Sequence, residues 1–192
     1  MDKRSPRNIW KNKPIFIKQT AIDGIKLFPK VDHYCRFLSK LESGKRRYGY
    51  WVLAYGMTPA SIYLILIPKK DLLTNAMQSL FTSTAAKLRW ASKHKGRVFS
   101  ANFSSRPLTD EESLISAKKE LLNAVRRESS VPLKKWPFVA VTYQDDPFKI
   151  ISPTGQPRKH QKTSTLAPPF LTKNGLPTIN WYLNLIESIQ RQ

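Results

Sequence analysis

Cysteine is almost missing from this chain: Cys35 is the only one in 192 residues, so no internal disulfide can form and no zinc centre can rest on thiolates. Its expected place is in the core, as a small apolar group. Histidine is nearly as scarce, and His33, His94 and His160 stand too far apart to share a short metal-ligand spacing. Acidic residues are few, 13 Asp and Glu against 33 Lys and Arg, which leaves a formal charge of +20. A charge of that size repels itself unless a polyanion is at hand, and nucleic acid is the expected partner. Long hydrophobic runs are lacking too: the apolar stretches are short and broken by polar or turn residues, so no membrane partner is expected. The opening MDKRSPRNIWKNK is basic but does not run on into an apolar stretch with a small-residue cleavage site. It does not read as a secretory signal, and the expected setting is the cytoplasm, in association with the nucleoid.

What is present is enough apolar material, 41% of the residues, for one domain with its own core and a short appendage. Residues 1–13 are basic and aperiodic and read as a flexible arm. Alternation in Pro14–Gln19 predicts a strand, followed by a turn at Asp23-Gly24. From Asp32, a suitable N-cap, Tyr34, Phe37, Leu38 and Leu41 recur at helical spacing until Ser43-Gly44. Tyr48–Tyr55 and Ser61–Ile67 read as two buried neighbouring strands joined by a turn over Gly56–Pro59. Leu73, Ala76, Met77, Leu80, Thr84 and Leu88 then form one stripe of a long helix between Asp71 and Lys93. Val98–Arg106 is open to a loop or a ribbon. Thr109-Asp110-Glu111-Glu112 has the form of a capping box before a helix that runs to about Arg127, and Phe138–Tyr143 predicts the last strand.

The order strand, helix, strand, strand, helix, helix, strand suits an α+β domain with a largely antiparallel, ferredoxin-like sheet. It is expected to occupy residues 14–145. A proline-rich basic linker over 146–177 and an amphipathic helix over 178–192 follow. The apolar stripe Ile179, Tyr182, Leu185, Ile186 and Ile189 makes that helix a possible dock for a partner protein.

Basic residues gather at the predicted loops and helix ends, where they can reach phosphates without disturbing a core. The candidate contacts are Lys45, Arg46 and Arg47; Lys93, Lys95 and Arg97; Arg106; Arg126 and Arg127; Lys134 and Lys135; and Arg158, Lys159 and Lys162. Phe99, Phe103 and Trp136 lie beside these clusters and are candidates for stacking on unpaired bases, with core packing as the competing reading for the two phenylalanines. Trp51, Tyr55 and Trp90 are expected in the core.

Several segments match one known family in order and spacing across residues 14–140. They are Phe16–Phe28, Asp32–Leu41, Trp51-Val52-Leu53-Ala54-Tyr55 with Pro59 and Ile62–Ile67, Gly96-Arg97-Val98-Phe99 with Phe103 and Ser104-Ser105, Leu121–Arg126, and Trp136-Pro137. Together they resemble the REP-associated tyrosine transposases, a branch of the single-tyrosine HUH superfamily. The resemblance implies the family's fold and recognition of short palindromes that form DNA hairpins. It also implies a divalent metal held by a His-x-His pair on a strand, and a helix tyrosine that attacks the scissile phosphate.

The chain departs from that pattern where the chemistry sits. Ser61-Ile62-Tyr63 occupies the His-x-His position, and a hydroxyl and a phenol are poorer ligands than two imidazoles. The nucleophile position falls on Lys119 or Glu120, and no tyrosine occurs between Tyr63 and Tyr143. Ala124 replaces the proline after the family's helix asparagine. The expectation is therefore a domesticated transposase, not an enzyme, with no cofactor, that binds DNA as a regulator or as a subunit of a larger assembly. Two alternatives stand beside it: an RNA-hairpin-binding subunit of a ribonucleoprotein, and an active nuclease with atypical ligands. In the expected reading Tyr63 packs into the vacated metal site.

Overall fold

Period-two alternation sends successive side chains of a strand to opposite faces, and here both faces are covered. The computed structural model describes residues 12–69, 72–129, 132–133, 136 and 138–141. Most of the expected arm, the linker and the C-terminal helix lie outside these residues, as do Lys134, Lys135, Arg158, Lys159 and Lys162. The elements run β1 (Ile15–Thr20), α1 (Val31–Gly44), β2 (Tyr50–Met57), β3 (Ser61–Pro68), α2 (Leu73–Ser92), β4 (Ser104–Pro107), α3 (Glu111–Glu128) and β5 (Val139–Val141). They build one antiparallel sheet in the order β4-β1-β3-β2-β5. The first six elements form the βαββαβ ferredoxin-like unit, and α3 and β5 extend it.

All eight residues of β3 are buried because it is the central strand and has helices on both sides. Ile62, Leu64 and Leu66 join Ile15 and Ile17 beneath α1 and α2, which contribute Phe37, Leu41, Met77 and Leu80 among others. Tyr63, Ile65 and Ile67 join Phe16 on the opposite face, under Leu114, Ala117, Leu121 and Val125 of α3. Between Val52 and Ala54 the β2–β3 register skips Leu53, so Leu53 and Ala54 both fall on the α3 side. A bulge of this kind adds one residue to one strand and bends it.

Local signals place four features differently from the sequence reading. Lys30, not Asp32, is the N-cap of α1; Asp32 lies inside the first turn and forms an ion pair with Arg36. Gly44 is the last α-helical residue, but the coil does not stop there: it widens into a π-helical turn over Lys45–Gly49. The glycine serves a close contact: a Cβ at Gly44 would meet the Tyr50 hydroxyl, which donates to the Leu41 carbonyl at 2.7 Å. The capping box on α3 is Asp110 with Ser113, one residue on from the Thr109–Glu112 pair. Trp90, expected in the core, is 87% exposed. Val98–Arg106 resolves into an isolated bridge, Ala21 to Phe99, and the short edge strand β4.

Helix α3 lies so close to the sheet that a Cβ at Gly56 would fall 2.6 Å from a Val125 methyl and 2.9 Å from one of Leu121. Overpacking at such a contact costs about 1–3 kcal/mol. Gly56→Ala is therefore expected to lower the unfolding free energy by that much, read as a lower urea midpoint at an unchanged slope of the transition.

Candidate nucleic-acid interface and the Ser61–Tyr63 position

Antiparallel pairing brings four connections to one end of the sheet. At the β2–β3 turn, Pro59 accepts from the Leu27 amide at 2.6 Å and Ala60 from the Ala21 amide at 2.8 Å. Val98 accepts from Ile22 at 2.9 Å, and the Met57 amide donates to Phe138 at 2.9 Å. The β1–α1 loop, the β2–β3 turn, the α2–β4 loop and the approach to β5 thus share what is here called the loop end. Cations follow the loops: Lys26, Lys30, Lys93, Lys95 and Arg97 are exposed there, and Arg126 and Arg127 join them from the last turn of α3. None of these seven forms an ion pair among the described residues.

The other candidate cations are elsewhere. Lys45 and Arg47, with the backbone of Arg46, sit at the far end of the sheet beside the start of β2. A strand the length of β3 spans about 25 Å, and the Debye length in physiological salt is about 8 Å, so the two ends act as separate electrostatic surfaces. Lys45 is paired with Glu42 at 3.4 Å, and the Arg47 guanidinium lies 5.3 Å from the Tyr48 ring centroid. Arg106 is on edge strand β4, ion-paired to Glu120 and stacked over Phe16 at 4.8 Å.

The three aromatic candidates point inward. Phe99 and Phe103 both pack against Phe81 of α2, with centroids 5.8 and 5.6 Å away. Trp136 meets Tyr34 and Phe138 edge-on, and its indole nitrogen donates to the Met57 carbonyl at 2.8 Å. These rings fasten the loops to the core.

Ser61 and Tyr63 share the α3 face at the loop end of β3, as alternation requires, and both are buried. The Tyr63 hydroxyl donates to one oxygen of Glu128 at 2.7 Å, and the Thr58 hydroxyl donates to the other at 2.7 Å. Thr58 also accepts from the Ser61 amide at 2.8 Å, which ties the β2–β3 turn into the same cluster. Burial is the largest influence raising the Tyr63 pKa, followed by its bond to Glu128, while Ser61 and Arg127 oppose the rise. Two neutral hydroxyls and a carboxylate that already accepts two hydrogen bonds are a poor fit for a divalent cation. Among the described residues no three His, Cys, Asp or Glu side chains come together as a metal-binding group. On α3, Lys119 is exposed and Glu120 is held by Arg106.

Thr58 and Glu128 carried no signal in the sequence, because 70 residues separate them and only the packing of α3 brings them together. Trp90 did carry one. It follows Leu88 by two residues, about 200° around a helix, and so opposes the buried stripe.

Tyr63 keeps its proton to higher pH in the folded chain than its ordinary value of 10.0. The stabilisation is therefore whole below about pH 10 and is lost as pH rises beyond it. Tyr34 and Tyr50 share the trend through burial. Tyr63→Phe is expected to cost about 1 kcal/mol at neutral pH, since the bond reaches a solvent-accessible carboxylate. In alkaline denaturation it should make the fall in stability above pH 10 shallower; an unchanged slope would exclude the Tyr63–Glu128 bond as a contributor.

No protein-family model and no curated protein matches the chain. Among solved structures, a REP-associated tyrosine transposase bound to a REP hairpin aligns with a TM-score of 0.59 at 13% identity, covering 93% of this chain and 99% of that one. A candidate transposase from Deinococcus radiodurans R1 aligns with a TM-score of 0.41 at 15% identity, over 64% of this chain and 97% of the other. The first alignment establishes the fold: a mixed arrangement of helices around a five-stranded antiparallel sheet, like that of the REP-associated tyrosine transposase.

Proposed function

We propose that this protein binds nucleic acid through the loop end of a transposase-like scaffold, without cutting strands. The observation that carries the reading is the gathering of seven exposed cations, none ion-paired among the described residues, around the four connections at one end of the sheet. Cations on loops and at the C-terminus of a helix reach phosphates with little rearrangement of the core. The protein of similar fold is bound to a REP hairpin, and a folded or palindromic DNA is the proposed target here. The role is that of a regulator or a DNA-binding subunit of an assembly, with residues 178–192 as the protein-docking element.

The proposal that cleavage is lost rests on what replaces the expected chemistry. Tyr63 is occupied as a donor to Glu128, and burial keeps it from ionising, so it serves neither as a metal ligand nor as an attacking phenolate at neutral pH. Lys119 and Glu120, at the nucleophile position, are not tyrosines.

Binding of a labelled DNA hairpin should weaken steeply with salt, because each phosphate contact releases counterions at roughly 0.9 per contact in the slope of log K against log salt. Replacing Lys93, Lys95 and Arg97 together with alanine should reduce that slope by about 2–3. Replacing Lys45 and Arg47 should leave it close to that of the parent protein. Binding should be indifferent to EDTA, and incubation with manganese should yield neither nicked strand nor covalent adduct. Equal affinity for hairpin DNA and a neutral polymer competitor would overturn the proposal, and an adduct would overturn its inactive form.

A further inference from the structure

The most exposed large apolar side chain among the described residues is Trp90, with 87% of its surface open. It contributes to neither core cluster and has no ring or cation contact among the described residues. Its surroundings are cationic. Lys87 is three residues before it on α2, a position that shares its helix face with Cβ atoms about 5–6 Å apart; Arg89 adjoins it in the chain, and Lys93, the C-cap, follows three residues later. Lys93 then takes the left-handed conformation, φ 54°, and ends the helix toward Lys95 and Arg97.

The cationic stripe continues away from Trp90. Lys87 lines a narrow groove between α1 and α2, with Arg36, Lys40 and Ser83. Burial, and then the charge of Lys87, lower the affinity of Lys40 for its proton. Arg36 is engaged by Asp32, whereas Lys40 and Lys87 form no ion pair among the described residues. Two cations thus line one groove that has no carboxylate in its lining, and the open indole of Trp90 lies about one helical turn beyond Lys87, toward the loop end. An aromatic face next to a cationic track is the arrangement that holds single-stranded nucleic acid, with bases stacked and phosphates neutralised.

We propose that Trp90 is a stacking platform for one unpaired base of a bound DNA strand, whose phosphates run along Lys93, Lys87 and the α1–α2 groove toward Lys40. This deepens the DNA-binding reading and rests on it. It also places the contact with an unpaired base on the α1–α2 side of the sheet, away from Ser61, Tyr63 and α3.

The test compares the full chain with Trp90→Ala and Trp90→Phe, using a hairpin DNA, an oligothymidylate and an abasic strand of the same length. Trp90 is exposed, so neither variant removes a core contact. The parent protein should prefer the oligothymidylate to the abasic strand by about tenfold, the size of a single base–aromatic stack. Trp90→Ala should erase that preference while leaving abasic binding unchanged, and Trp90→Phe should keep most of it. Oligothymidylate should quench fluorescence in the parent protein more than in Trp90→Phe. If the parent protein binds the hairpin but Trp90→Ala retains the preference, or loses affinity for both strands equally, the platform is refuted and the DNA-binding reading survives. A change in oligomeric state without loss of base preference would likewise refute it, in favour of a protein contact. If the parent protein binds none of the three DNAs, both readings fall together.

Discussion

Burial of β3 on both faces is the constraint from which the rest of the architecture follows. A strand with eight buried residues must have a neighbour on each edge and a layer on each face. The βαββαβ unit supplies both neighbours but puts its two helices on one side only. The opposite face, with Tyr63, Ile65 and Ile67, would stand open without α3. Helix α3 closes it so tightly that β2 needs a glycine at position 56 beneath Leu121 and Val125. The same closure carries Glu128, the last residue of α3, to the β2–β3 turn.

That arrival gives the loop end of β3 its character. Beside Ser61, Tyr63 and Thr58 point their hydroxyls at one carboxylate. The cluster links the end of a helix, the central strand and a turn. A partly wet carboxylate with two short bonds contributes on the order of a kilocalorie per bond, comparable with one well-packed methyl group. It is a modest clasp set at the junction of three elements.

The loop end and the far end of the sheet divide the positive charge, and the division follows from connectivity. In an antiparallel sheet with helical crossovers, every second connection returns to the same end. The basic residues lie in connections and helix ends, so they sort with them. On the far side, Lys45 is matched by Glu42 and Arg106 by Glu120, pairs that soften the local field. The loop-end set has no such partners among the described residues. Phe99, Phe103 and Trp136 hold those loops in place from beneath, which leaves their cations on a fixed frame.

Much of this was legible in the chain itself. Alternation and helical spacing found β1, β2, β3 and the three helices, because hydrophobic period is a local property that survives folding. The edge strand β4 escaped, since Ser104–Pro107 is short, polar and paired along only one edge. Caps shifted by two residues on α1 and by one on α3, as competing side chains near a helix start differ by less than tertiary packing can override. Trp90 was misplaced by residue type although its helical phase was correct.

By itself the sequence determined the charge, the amphipathic periods, the presence of a hydroxyl and a phenol at Ser61 and Tyr63, and from the order of its periods the fold class. These are properties of composition and near neighbours. Only the tertiary structure decided that Thr58, Tyr63 and Glu128 form one cluster, that the candidate aromatics turn inward, and that the basic runs fall at two separate ends of the sheet. Such outcomes depend on contacts between residues far apart in the chain, which the packing of α3 and the order of the strands establish and no local spacing encodes.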